Sequence, residues 1–215
     1  MLLGIDTCGA LGTIALARWN DRTVSLLVQA ELAGKTYAAQ LVPKIQDLLA
    51  AQGSSLEDLK AIVVVNGPGS FTGVRIGVSS AKALAEALNL PLVAVSRLAV
   101  LAQQAQADMA ALDGGRDEYY FREQKQESLF TPEEVRRRLN GTLAVCEENA
   151  AHAFPAAVLV DPPTAADALV CAVPRLQAKD FDDIAMLDGN YVRRSDAELF
   201  AKPGARADQT TPVKA

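Results

Sequence analysis

At 215 residues the chain is long enough to bury a substantial core, as one large domain or two small ones, and half of its residues are hydrophobic. With 21 Lys and Arg against 26 Asp and Glu the net charge is −5, which excludes a protein that grips nucleic acid through basic excess alone. The three cysteines, Cys8, Cys146 and Cys171, have no CxxC spacing and cannot all pair, which argues against a disulfide frame or zinc site and for reduced thiols in a cytosol.

The opening residues Met1-Leu2-Leu3-Gly4-Ile5-Asp6 lack the charged start and long apolar core of a secretory leader, and no stretch of about 18 apolar residues runs uninterrupted. A cytoplasmic chain with no membrane span is expected. Leu2 to Ile5 reads as a short buried strand ending in Asp6-Thr7-Cys8-Gly9, Gly12 to Ala17 as a second strand, and Thr23 to Leu32 as the third of a meander. A carboxylate at the end of a first strand can hold a metal-bound water or a ribose; Asp6 and Thr7 serve equally well as turn residues bonded to their own backbone. Thr36 to Ala51 follows as a helix with Tyr37, Leu41, Ile45, Leu48 and Leu49 on one broad stripe. Pro43 should kink it or confine its regular part to the C-terminal side. Ala38 and Val42 stand off the stripe, which suits either a partner or deep burial. Ser55-Leu56-Glu57-Asp58 then opens a short turn.

The most informative stretch comes next. Ile62 to Val65 is an unbroken β-branched run, as in a strand covered on both faces. After it, Gly67, Gly69 and Gly73 can take positive φ or admit another group to the backbone, Pro68 fixes its own φ, and Ser70 or Thr72 can cap a helix. From Val74 that helix carries Val78, Ala81, Ala85 and Leu88 on one stripe, while Ser79, Ser80, Ala83 and Ala87 form a small-residue side that would admit a second helix. Strand, glycine turn and helix start converge as an anion site would. The loop is neither GxxxxGK[ST] nor a true GxGxxG, and it has no phosphate-binding lysine, so a structural turn or protein contact stands beside the phosphate reading. Leu92 to Val95 adds a strand.

Beyond it, Arg97 to Gln106 reads as helix, Met109 to Leu112 and Glu118 to Arg122 as strands around Asp113-Gly114-Gly115-Arg116, and Thr131-Pro132-Glu133-Glu134 as a helix start. Leu143 to Cys146 and Val158 to Val160 are short strands, and Ala165 to Val173 a helix closed by Pro174. This weaker echo of the first half suggests a duplicated, two-lobed α/β arrangement. Beyond Ala201 almost nothing can be buried, and a loose tail is expected. For catalysis the chain offers one histidine, His152, with no carboxylate at ligand spacing, so no metal site, Ser-His-Asp or Cys-His arrangement is expected. The acidic pairs Glu147-Glu148 and Asp182-Asp183 read as solvated faces.

Four stretches together resemble the TsaB (YeaZ) family of bacteria: Asn66-Gly-Pro-Gly-Ser-Phe-Thr-Gly-Val-Arg-Ile-Gly77; Ile5-Asp6-Thr7; Leu112-Asp113 with Arg116, Glu118 and Tyr119-Tyr120; and Tyr191-Val-Arg-Arg-Ser-Asp-Ala-Glu198. The likeness runs from Leu3 to about Glu198. It implies an actin-like (ribonuclease H-like) two-lobed fold of mixed sheets flanked by helices, with an N-terminal lobe over 1–98, a smaller lobe over 99–200 and the tail over 201–215. The implied role is that of a non-catalytic subunit in making N6-threonylcarbamoyladenosine (t6A) at position 37 of tRNAs that read ANN codons. It would act with a TsaD-type catalytic subunit and a TsaE-type ATPase, form a homodimer when alone, and meet tRNA through the complex.

The resemblance also implies pairing through the helices Thr36 to Ala51 and Val74 to Leu88, with Tyr37, Leu41, Ile45, Val78, Ser79, Lys82, Ala83 and Glu86 at the interface. No cofactor belongs to this subunit on that reading, and ATP enters only at the interface of the complex. The chain departs from the family pattern at Lys35-Thr36-Tyr37-Ala38 and at Gly114-Gly115-Arg116-Asp117-Glu118. The alternative is an ATP-binding or ATP-hydrolysing protein of this fold acting on its own, with Asp6, Thr7, Gly67, Gly69, Ser70 and Gly73 around the nucleotide. A peptidase is a more remote reading, and no catalytic dyad supports it.

Overall fold

In the computed structural model, which describes residues 1–20, 22–33 and 37–192, the first sheet is built around β1 (Leu2–Asp6), buried along its whole length. On one side β1 pairs antiparallel with β2 (Leu11–Trp19), which pairs antiparallel with β3 (Val24–Ala33). On the other it pairs in parallel with β4 (Ala61–Val65), and β4 with β5 (Leu92–Val95), giving the order β3-β2-β1-β4-β5. Parallel strands need covered faces, which is why β4 is apolar at every position. The helices α1 (Tyr37–Ala51) and α2 (Phe71–Leu88) pack on one face of this sheet. Ile5 points toward α2 at Gly77, and its neighbour Gly4 points the opposite way.

The second sheet repeats the plan. The strand β6 (Met109–Gly115) pairs antiparallel with β7 (Glu118–Glu123), and β7 with β8 (Gln126–Phe130). On its other side β6 pairs in parallel with β9 (Leu143–Val145), and β9 with β10 (Val158–Leu159). The order β10-β9-β6-β7-β8 thus matches the first sheet strand for strand, the duplicated mixed-sheet architecture of the actin-like class. Phe121, Met109 and Val145 centre its core under α4 (Pro132–Arg138) and α5 (Glu148–Ala153).

Between the sheets lie α3 (Arg97–Gln104), packed on β6, β7 and β9, and α6 (Ala165–Cys171), packed on β1, β2 and β4. Gly4 leaves room for α6: a Cβ there would come within 2.7 Å of the Ala165 carbonyl oxygen. A split at residue 98 therefore misses a return of the chain. Ala165, Ala168, Leu169 and Ala172, with Leu176 of α7 (Val173–Ala178), complete the core of the first lobe.

Several local expectations are corrected. The helix α1 already begins at Tyr37 and continues past Pro43, which sits on its exposed side, so the proline does not confine it to the C-terminal part. Pro174 does not close a helix over Ala165 to Val173: α6 ends at Cys171, and Pro174 lies in the first turn of α7, where no backbone N–H is needed. The β6–β7 turn falls on Arg116 and Asp117, both at positive φ, with Asp113 to Gly115 still in the strand. The Lys35-Thr36 pair, the Arg193 to Glu198 motif and the 201–215 tail lie outside the described residues.

Candidate functional site

The glycine-rich stretch joins β4 to α2 and is fastened to the turn that follows β1. Ser70 caps α2, its Oγ accepting the Gly73 N–H at 3.3 Å. The Ser70 N–H donates to the Cys8 carbonyl at 2.8 Å, and the Thr7 hydroxyl donates to the Gly73 carbonyl at 2.6 Å. Such contacts need bare backbone: a Cβ on Gly69 would strike the Cys8 carbonyl oxygen, and one on Gly73 the Thr7 carbonyl oxygen. The glycines thus let α2 start in contact with the β1–β2 turn.

Beside this junction a cleft of about 520 Å³ separates the two lobes. Its first wall is the Cys8-Gly9-Ala10 turn with Tyr37, Gly69 and Ser70; its second is Asp113, Gly114, Gly115 and Tyr120. Arg97, the first residue of α3, stands between them, 8% exposed, its backbone N–H on the Gly67 carbonyl at 2.7 Å. The Arg97 Nε is buried with no acceptor. Asp6 lies behind the turn, wholly buried, accepting the Cys8 N–H at 2.8 Å. Burial raises its pKa against the opposing pull of Arg97. Burial also pushes the Cys146 thiol up to about 12, and the Cys8 thiol well above its ordinary value, so neither is a thiolate nucleophile at neutral pH.

Glu147 is not part of a solvated pair. It is half-buried, accepts the Asp113 N–H at 3.1 Å, and has its pKa raised chiefly by burial. A raised folded-state pKa means the folded chain holds this proton more tightly. Stability is therefore lost as pH climbs from the ordinary carboxyl value of 4.5 through the raised one. Glu147→Gln, which keeps an acceptor for Asp113, should flatten that part of the stability-against-pH curve in urea titrations; a curve unchanged from wild type would contradict this.

The segment after α7 straps the molecule together. Asp182, the other pair member expected in solvent, accepts the Ala94 N–H at 2.7 Å and pairs with Arg175 at 3.1 Å. Asn190 donates its N–H to the Asn66 carbonyl at 2.7 Å and its side-chain amide to Glu127 of β8 at 2.5 Å. Glu127 also takes the Ser96 hydroxyl at 2.5 Å and Arg122 at 2.7 Å, tying the end of β5 to the second sheet. The Tyr191 ring lies 5.2 Å from Phe71.

The six residues considered around a nucleotide, Asp6, Thr7, Gly67, Gly69, Ser70 and Gly73, do come together here. Only Gly69 and Ser70 reach the cleft, and Asp6, Thr7, Gly67 and Gly73 are buried behind it. Of the eight interface residues, Tyr37, Leu41, Ile45 and Val78 point into the chain's own core, because their stripe covers the first sheet. Lys82 is half-buried and donates to the Leu187 carbonyl at 2.7 Å. Ser79, Ala83 and Glu86 are exposed. His152 is exposed in the last turn of α5, and among the described residues no group of three or more His, Cys, Asp or Glu could hold a metal. No helix among them is long and apolar enough to cross a membrane. Sequence reasoning missed Arg97; its signal was a lone cation within Val93-Ala-Val-Ser-Arg-Leu-Ala-Val100.

Comparison with known proteins agrees with this architecture. Residues 28–161, more than half of the chain, match the family model of TsaD, tRNA N6-adenosine threonylcarbamoyltransferase. The chain is 36% identical over 155 residues to the tRNA threonylcarbamoyladenosine biosynthesis protein TsaB of Escherichia coli K12, covering 64% of this chain and 65% of that protein. It is 40% identical over 101 residues to TsaB of Bacillus subtilis 168, covering 47% and 43%. The chain thus spans less than two thirds of the length of these curated relatives. The solved structure of YeaZ from Pseudomonas aeruginosa is similar with a TM-score of 0.73 at 28% identity, covering 88% of this chain and 98% of that one. Family model, relatives and fold agree: the chain belongs to the TsaD family and, within it, to the TsaB (YeaZ) proteins.

Proposed function

We propose that this chain is a non-catalytic scaffolding subunit of t6A formation at position 37 of tRNAs reading ANN codons, acting in the cytosol. It pairs with a TsaD-type catalytic subunit, works alongside a TsaE-type ATPase and meets tRNA through the assembly. The observation that carries this reading is the outer side of α2, where Ser79, Ala83, Glu86 and Ala87 are exposed beside α1. Small side chains in a row let a second helix approach closely, and pairing there requires no change in the core beneath. The residues present do not fit a histidine-held metal, since the whole sequence holds one histidine, and no step is assigned to one. On this reading nucleotide is met only at the interface of the complex.

Ala83 lies in the middle of that exposed stripe, so a bulky charge there should block close approach while leaving the core untouched. Ala83→Arg is expected to weaken association with a TsaD-type partner at least about tenfold, a cost of about 1.4 kcal/mol or more, in titration calorimetry. Equal affinity for wild type and variant would mean that α2 is not the docking surface.

A further inference from the structure

We propose that the cleft between the lobes takes a small oxyanion, a carboxylate or phosphate group, on the guanidinium of Arg97 and the hydroxyl of Ser70. Arginine is always charged, and a buried cation is costly unless oxygen atoms surround it. Arg97 is more than nine-tenths buried, yet its Nε has no acceptor. Other arginines of the molecule are paired: Arg122 with Glu127, Arg138 with Glu123, Arg175 with Asp180 and Asp182. Asp6 acts on Arg97 through its charge from behind the turn, while Asp6 Oδ1 is committed to the Cys8 N–H. Glu147 also acts on Arg97 through its charge while accepting the Asp113 N–H, and among the described residues neither carboxylate forms a hydrogen bond with the guanidinium.

The guanidinium borders the cleft. Nη2 of Arg97 lies against Gly9, where a Cβ would come within 2.9 Å of it. Ser70 is exposed on the same wall, and its Oγ accepts from Gly73, which leaves the hydroxyl proton to donate outward. The helix α2 begins there, is 18 residues long and has no acidic residue in its first turn, so its positive end adds to the attraction. Asp113 on the facing wall does not compete for Arg97. Its two oxygens take the Gly115 N–H at 2.7 Å and the Asn149 amide at 2.7 Å. A planar fork, a hydroxyl and a helix start together match the oxygens of a carboxylate or phosphate.

This site is separate from the α2 surface assigned to partner binding, and the two readings stand or fall independently. The test is calorimetric titration of the full chain with inorganic phosphate and, in parallel, with acetate, against sodium chloride at matched ionic strength. Saturable binding of one of the two is expected, and which one binds identifies the group. Arg97→Lys, which keeps the charge over Asp6 but loses the fork, and Ser70→Ala, on the surface, should each weaken it about tenfold or more. Ser70→Ala also removes the cap bond to the Gly73 N–H, so its melting curve is compared with wild type first, and in the folded chain it tests the site even where an Arg97 variant folds poorly. Heats that track ionic strength alone, or unchanged binding in the folded Ser70→Ala chain, would overturn the proposal.

Discussion

Gly73→Ala should cost about 3 kcal/mol or more in urea unfolding, far beyond the usual price of placing alanine at a glycine position. The added methyl would collide with the Thr7 carbonyl oxygen, which is backbone and cannot swing aside. The same helix turn receives the Thr7 hydroxyl on the Gly73 carbonyl, so pushing α2 away also breaks that bond. Gly53 is the control. It has φ +63 with nothing within 4 Å of a built Cβ, so Gly53→Ala should cost only about 1 kcal/mol, from backbone strain. A loss at Gly73 no larger than at Gly53 would mean that the β1–β2 turn and α2 can part easily, contrary to the role given to the glycine motif.

Leu169→Asp should be comparably severe, about 3–5 kcal/mol, although the residue lies more than 160 positions from the strand it covers. Leu169 is fully buried in the apolar core of the first lobe, with its side chain over Gly4 of β1. Val170, one position on, is 45% exposed, and Val170→Asp should stay within about 1 kcal/mol of wild type. The contrast tests whether α6 truly belongs to the first lobe. If the two substitutions destabilise equally, or the Leu169 variant unfolds in two separate steps, the lobes are independent units and α6 is a linker.

What could be read from residues alone depended on how local the cause was. The run Ile62 to Val65 declared a covered strand because every position is apolar, and the helix after it was legible from the period of Val74, Val78, Ala81 and Ala85. The edge strand β8, Gln126–Phe130, was missed because an edge that is only half-buried needs little apolar patterning. Periodicity grouped Tyr37, Leu41 and Ile45 correctly on one side of α1. It could not say whether that side meets the chain's own sheet or a partner, and the burial of all three assigns it to the sheet. The return of α6 to β1, the capture of Asp182 by Ala94 and Arg175, and the isolation of Arg97 are meetings between distant parts of the chain. Nothing in the neighbouring residues announces them.

The site followed the same division. Gly67 to Gly73 stood out as a shaped loop before a helix; the loop ends at Ser70 and Gly73 already lies in α2, and the approach that demands its glycines comes from Thr7 and Cys8, about sixty residues earlier. Whether a glycine loop faces a ligand or another stretch of backbone is settled by packing, and here the backbone oxygens of the β1–β2 turn occupy the approach to Gly69 and Gly73. This leaves the exposed side of α2 and the Arg97 cleft as the two surfaces with chemistry still to offer.

The central claim is one of association, and light scattering coupled to size exclusion addresses it directly, first on the chain alone and then with a TsaD-type protein added. The account predicts a homodimer that exchanges into a one-to-one heterodimer when the partner is present. A monomer whose mass and elution are unchanged by the partner over a wide concentration range would contradict it.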